Sequence, residues 1–332
     1  MKTQYSILAL SLCLSASTFA ATATPLAAEK GYSGEISLQT GFASVRSNLN
    51  TYGDASISDL NQSASSHSDS LILPLGNITY TFDDLNRQVY AGMNRSDIAV
   101  GNLVMEIGAR QKLASGTVLD VSFIPGFITK DVWADPFKTG ANRDKTDART
   151  TALRFKVDNI GGTSISLDSA YSFNNVDNDK AGASRGLSRQ QQDLLRRDST
   201  AFFIKADFRQ PLSATSFLKP AFSMTTAEAD GSANSYIAYG AEVTYFKVLD
   251  RNLLALTASY SNRDYEAVNP VFNKARTDNE FGLFAAYEHK NFMGWQNWSF
   301  ISLAGLGMSE SNIDFYDSKQ YMMSVGMNYQ FQ

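Results

Sequence analysis

Segments of about 8 to 15 residues in which every second side chain is apolar recur along most of the chain. Ile36, Leu38, Thr40 and Phe42 share one phase near the start, and Ile237, Tyr239, Ala241, Val243 and Tyr245 share another farther on. At the end, Tyr321, Met323, Val325, Met327, Tyr329 and Phe331 alternate with Met322, Ser324, Gly326, Asn328 and Gln330. Successive side chains of a strand point to opposite faces, so each segment reads as a strand with one apolar face. That face has to be covered, either by a second sheet or by lipid. No stretch past the first residues approaches the roughly 18 apolar residues of a membrane helix, so a crossing would be made by strands. Aromatic residues at 12% and only 7 Pro favour a chain rich in strands.

The N-terminal stretch MKTQYSILALSLCLSASTFAATATP decides between the two covers. Lys2, an apolar run from Ile7 to Leu14 and then small residues form the pattern of a cleaved secretory signal, too short to span a bilayer. Cleavage is expected after Ala20 or Ala23, with Ala23 preferred because Ala21 and Ala23 place small residues at both required positions. The expected organisation is therefore a signal over 1–23 and one barrel domain over 24–332. Cys13 is the only cysteine, and Leu12 stands where a lipidated cysteine needs a small residue before it. Without other cysteines the fold must be held by backbone pairing and packing rather than disulfides. A net charge of −4 is too mild to point to a nucleic-acid partner.

Long and short spacers alternate between the strands. The long ones include NLNTYGDASISDLNQSASSHSDS, TKDVWADPFKTGANRDKTD, NNVDNDKAGASRGLSRQQQDLLRRDS and SNRDYEAVNPVFNKARTDN, with SDIAVG, TAEADGSAN and SESNIDFYDSK on the same side. DDLNR, KLASGT, DNIGG, RQPLSA, KVLDRN and HKNFMGWQ are the short ones. This asymmetry is that of an all-β, transmembrane, antiparallel up-and-down barrel in a bacterial outer membrane, with long extracellular loops and short periplasmic turns. About fourteen strands are expected, with twelve or sixteen as alternatives, and an even number returns both termini to the periplasm. The last strand should close on the first, since an open edge in hydrocarbon leaves backbone groups unpaired. Tyr80, Phe82, Tyr245, Tyr287, Trp298, Tyr329 and Phe331 are candidates for the aromatic girdle at the membrane interface. Expected partners are outer-membrane lipids and lipopolysaccharide, and the barrel assembly machinery, which would read the aromatic tail although Gln332 displaces Phe331 from last place.

The signal, together with PLGNITYTFDDLNRQVYAG, SGTVLDVSF, DVWADPF, DNIGG and SLDSAY, resembles a bacterial outer-membrane family catalogued only as a domain of unknown function. The resemblance spans essentially the whole mature chain and implies location and architecture. It brings no activity, substrate or catalytic residue with it.

With the apolar face outward, the inward residues include Glu35, Gln39, Asn77, Thr79, Glu106, Arg110, Asp120, Ser122, Arg154, Lys156, Asp168, Lys205, Asp207, Lys219, Glu242 and Glu280. Folding the chain about Ser115, Gly161 and Ser213 sets Arg110 opposite Asp120, Arg154 opposite Asp168 and Asp207 opposite Lys219. These pairs form either a ladder of salt bridges along a wet wall or a solute path. Lys156 has no partner in that register and would present its charge to a solute. A barrel of this strand count leaves space inside unless loops fill it.

Catalytic constellations are sparse. His67 between Ser66 and Ser68 is the one nucleophile-like grouping, and it reads better as a solvated loop histidine; His289 reads as a turn residue. Asn175, Asp177 and Asp179 offer oxygens at alternate positions but lack the Gly and distal Glu of a calcium loop. No catalytic residue, metal site or cofactor is therefore expected. LSRQQQDLLRRDS places Leu187, Leu194 and Leu195 at helical spacing beside Arg189, Arg196 and Arg197. Such a segment folds inward to narrow a pore, lies on lipopolysaccharide phosphates, or stays a solvated loop. Trp133 and Phe137 anchor the third long loop at the rim or pack it into the lumen. Only TPLAAEKGYSG separates the expected cleavage point from the first strand, so neither a plug domain nor a passenger domain is expected. A passive, porin-like channel for small hydrophilic solutes is the leading expectation. A non-conducting barrel that presents its loops is the alternative, and an outer-membrane enzyme the third. Solute identity and oligomeric state are not encoded in these patterns.

Overall fold

The computed structural model describes residues 26–61, 64–127 and 129–332; the expected signal over 1–23 lies outside the described residues. Sixteen strand segments form one antiparallel sheet that closes on itself. They are β1 (Gly31–Ser47), β2 (Ser66–Thr81), β3 (Arg87–Met93), β4 (Met105–Lys112), β5 (Val118–Ile124), β6 (Lys130–Trp133), β7 (Lys145–Asp158) and β8 (Ile165–Val176). The second half comprises β9 (Ser199–Phe208), β10 (Gln210–Ser213), β11 (Ser216–Ala229), β12 (Tyr236–Leu249), β13 (Asn252–Asn269), β14 (Lys274–Lys290), β15 (Trp298–Ser311) and β16 (Ser318–Phe331). β5 and β6 lie end to end against β7, and β9 and β10 lie end to end against β11. Each of these pairs makes one wall strand, so the barrel has fourteen. β16 pairs with β1 from Gly34↔Phe331 to Ser47↔Ser318, and no edge remains between first and last strand.

The apolar phase faces out. Leu38 is 61% exposed and Phe222 69%, whereas Gln39 on the opposite phase of β1 is fully buried. For a closed sheet this inversion means that the apolar band meets lipid and the polar phase meets the lumen. Tyr80, Phe82, Tyr245, Tyr287, Trp298, Tyr329 and Phe331 all lie near the strand ends on the side of the short turns. Tyr80 contacts Phe82 with centroids 5.3 Å apart, and Trp298 contacts Tyr329 at 5.1 Å.

The structure departs from the sequence expectation in two places. The polar spacer SNRDYEAVNPVFNKARTDN is mostly strand: β13 and β14 run on past the lipid-facing band and turn only at residues 270–273. Ladder bonds continue there in water, so polarity alone did not mark the strand end. The hairpin arithmetic holds for Arg110↔Asp120 but slips at the other two pairs. Lys156, not Arg154, stands opposite Asp168, because the turn is centred on Gly162 and passes through left-handed Asn159, Gly161 and Gly162. Asp207 stands opposite Ala221, since the register shifts between Pro211 and Ser213.

Candidate functional site

β3 and β4 are too short to reach the level of their neighbours, and the segment between them, residues 94–104, turns into the lumen instead of rising as an outer loop. SDIAVG, read from the sequence as a plain spacer, is thus a plug. It opens with a single helical turn, α1 (Arg95–Ile98), capped by the Asn94 side chain accepting from the Ser96 N–H. Its two faces match two sides of the wall. Ile98 packs among Leu71, Leu73 and Leu75 of β2, Phe284 of β14, Leu303 of β15 and Met322 of β16, all inward-facing and buried. Val100 packs with Phe217, Phe246 and Ala255. Gly101 has φ +89°, and a Cβ there would stand 2.8 Å from the Phe284 ring, so conformation and space both require glycine. On β15 the inward glycines Gly305 and Gly307 leave room for Phe284 and Gln320 respectively, which explains the indistinct phase of ISLAGLGM.

The polar face of the plug closes ion pairs across the lumen. Arg95 donates to Glu35 of β1 at 2.5 Å and to Glu288 of β14. Asp97, 1% exposed, accepts from Arg154 Nη1 at 2.7 Å and Lys156 Nζ at 3.2 Å. The expectation that Lys156 stands free is overturned: its side chain is buried against the plug, a partner that hairpin arithmetic cannot see. Arg154 also donates to Asp168 through Nε at 3.0 Å and Nη2 at 2.8 Å, reaching diagonally across the ladder, and lies 3.5 Å from Glu106. Around the same wall, Arg110 bonds Asp120 at 2.7 Å, Tyr90 donates to Asp120 at 2.7 Å, and Ser122 donates to Glu106 at 2.7 Å. Lys205 pairs with Glu242 at 3.5 Å and Lys219 with Asp207 at 3.3 Å. The structure places each of the twelve charged residues of the inward series in an ion pair, Glu280 with Arg263 at 3.0 Å among them; Arg95, Asp97 and Glu288 of the latch were not in that series.

Burial pushes the Asp97 carboxyl up, but the Arg154 and Lys156 cations outweigh it and hold the group below its ordinary value of 3.8. A depressed carboxylate adds stability above its unfolded pKa and loses it as pH falls through the folded one. The latch should therefore be unchanged from pH 8 to pH 5, roughly, and weaken only below about pH 4. Limited proteolysis of the plug across that range checks this, and cleavage that already increases near pH 6 would contradict it.

The other long loops converge over the barrel mouth. Leu60, Phe137, Leu195, Ile313, Phe315 and Tyr316, from four different connections, form a buried apolar lid. Phe137 lies 5.4 Å from Phe315 and 5.8 Å from Phe272, and Trp133 is also buried. LSRQQQDLLRRDS supplies α2 (Arg189–Asp193), with Ser188 and Gln191 forming a capping box, and packs Leu187, Leu194 and Leu195 into the lid. Arg197 is turned inward, bonding Asp179 at 2.7 Å and the carbonyls of Trp133 and Ala134. Arg143 stacks on Trp133 at 4.3 Å and donates to the carbonyls of Asn48 and Asp54, both at 2.6 Å. Burial pushes its guanidinium down to about 10. Asp177 and Asp179 are engaged by Arg149 and Arg197 rather than turned toward a common point. His67 lies in β2, 3.5 Å from Asp54, and His289 ends β14 with Nδ1 2.8 Å from Asn252 Oδ1.

Plug and lid divide the interior. On the lid side is a chamber of about 530 Å³, lined by Ser223, Thr225, Ser259, Arg263, Glu280 and Ser309 among others. On the turn side a vestibule of about 410 Å³ is bounded by Glu35, Asn77, Tyr90, Arg95, Arg110 and the chain end.

The model of a family described as “Protein of unknown function (DUF2860)” matches residues 31–330. Among curated proteins none matches the sequence. Similar solved structures include the outer membrane channel DcaP of Acinetobacter baumannii, with 10% identity and a TM-score of 0.43 over 91% of this chain and 98% of that one. An anion-selective porin from Comamonas acidovorans has 10% identity and a TM-score of 0.41 over 91% of this chain and 100% of that one. OprD of Pseudomonas aeruginosa has 10% identity and a TM-score of 0.39 over 94% of this chain and 100% of that one.

Proposed function

We propose a gated, porin-like channel as the function of this chain, which belongs to the DUF2860 family. Seated in the outer membrane among lipids and lipopolysaccharide, it passes small hydrophilic solutes by diffusion along a lumen of mixed charge, with no cofactor and no enzymatic step. Residues 1–23 are the cleaved export signal in this reading, and the aromatic end of β16 is what the assembly machinery engages. The observation that carries the proposal is the division of one polar lumen into two spaces, of about 530 and about 410 Å³, by a segment of the chain itself. A wall meant only as a mount has no need of buried charge along its length, since buried ion pairs contribute little to stability. The resting state is closed, and passage requires the plug to leave Phe284 and the Arg154–Lys156 face.

Replacing residues 95–103 by a Gly-Ser linker of equal length removes the plug's anchors and leaves the wall strands intact. In planar bilayers the refolded wild type is expected to stay mostly closed, whereas the linker variant should give steady, large conductance. If both are silent, the channel reading falls. The apolar lid favours the second reading in that case: a closed barrel that holds its outer loops rigid for contact with another surface.

A further inference from the structure

We infer that the chamber beneath the lid is a binding site for a small sugar acid, a ring of hydroxyls carrying one carboxylate. The inference rests on the channel reading for the solute's route, and on the chamber alone for its chemistry. On β14 the inward residues step from Phe284 at the plug through Gly282 to Glu280, Asp278 and Arg276, so the chamber stands directly on the plug. Its size falls within the roughly 300–1,000 Å³ of small-molecule sites.

The lining has three components. The hydroxyls of Ser223, Thr225, Ser259 and Ser309 face the space, and the described residues offer them no side-chain hydrogen bond. Hydroxyls of this kind both donate and accept, as the hydroxyls of a sugar ring do. Aromatic side chains hold the second component in place. Arg263 lies over Tyr236 at 4.6 Å and bonds Glu280 at 3.0 Å, while its buried Nε has no partner. Arg276 is stacked 3.7 Å from Tyr316 and 4.5 Å from Tyr265, and Asp278 neutralises it. Lys130 of β6 is the third: it borders the chamber and has no side-chain partner among the described residues. The two arginines are balanced by Glu280 and Asp278, and Asp131, which also borders the chamber, is paired with Lys145 at 3.2 Å, so Lys130 leaves the chamber one positive charge in excess. A neutral sugar would leave that charge unused, and a bare inorganic anion would leave the hydroxyls unused.

The test uses the full barrel refolded in detergent and calorimetric titration with glucuronate and glucose, which differ by the carboxylate alone. Glucuronate should bind about tenfold more tightly than glucose at low ionic strength, as expected for a charge-assisted hydrogen bond, with the gap narrowing as salt rises. Lys130→Gln should bring glucuronate to the level of glucose and leave glucose unchanged. Ser223→Val with Ser259→Val should weaken both sugars, and gel mobility before and after heating reports that the variants fold. Equal affinity for the two ligands overturns the inference, as does absence of binding, or a Lys130→Gln variant that keeps the preference. Glucuronate binding in a protein whose linker variant does not conduct would remove the channel and keep the chamber. Conductance without glucuronate binding would remove the chamber and keep the channel.

Discussion

Lys156→Glu should open the lumen, and the gain in conductance should persist as salt is raised. In the folded protein Lys156 is 5% exposed and bonds Asp97, with Asp168 opposite it in the ladder. The substitution removes one of the two cations that hold Asp97 and sets a third carboxylate beside Asp97 and Asp168. Breaking a buried pair so that a charge is left uncompensated costs about 3–5 kcal/mol. The plug can escape that cost by leaving the wall, whereas the wall strands are tied by their ladders, so the plug should yield first. A solvated charge would instead alter ion selectivity without opening the pore, and salt would screen the effect over about 8 Å at physiological strength. Bilayer currents at low and high salt separate the two outcomes. A folded Lys156→Glu barrel with wild-type currents at both salt concentrations would remove Asp97 and Lys156 from the latch.

Alternation along each segment fixes which face is outward, because a closed wall in lipid leaves each side chain only two directions. The twelve charged residues of the inward series were read from that rule. Partners across a single turn are nearly as legible: Arg110 and Asp120 pair as counted, while the left-handed turn at residues 159–162 and the shift near Ser213 move the partner in the other two pairs by two residues along the same face. The plug was not legible in this way. Ile98 and Val100 meet side chains from strands far away in the sequence, and their spacing imposes no period of its own. A signal was nonetheless present: β3 and β4 are too brief to cross the lipid band, and between them lies Ile-Ala-Val-Gly, apolar residues where a solvent-facing loop would be polar. The lid was half legible, since Trp133, Phe137 and the leucines of LSRQQQDLLRRDS were singled out while their common destination was not. β13 and β14 were misread for a different reason: beyond the lipid a strand can be polar on both faces.

Val325→Arg should reduce barrel assembly far more than Tyr329→Arg, although both residues lie on the same face of the same strand. Val325 is 45% exposed, pairs with Thr40 of β1 and Ser302 of β15, and lies midway along the outward series from Tyr321 to Tyr329. Tyr329 lies at the turn-side end, against Trp298. A basic side chain costs about 2–4 kcal/mol at the centre of the lipid-facing band but only about 0–1 kcal/mol near its edge. Phe331, one step farther out, is expected to tolerate charge as Tyr329 does, so the aromatic tail contributes to anchoring and recognition more than to the energy of crossing. Heat-modifiable barrel recovered after refolding into vesicles, followed by urea titration, measures the difference. Equal losses for the two variants would mean that β16 is not centred on the lipid as its outward series indicates. The closing pair β16–β1 would then lie at another depth, and with it the plug that Glu35 of β1 helps to hold.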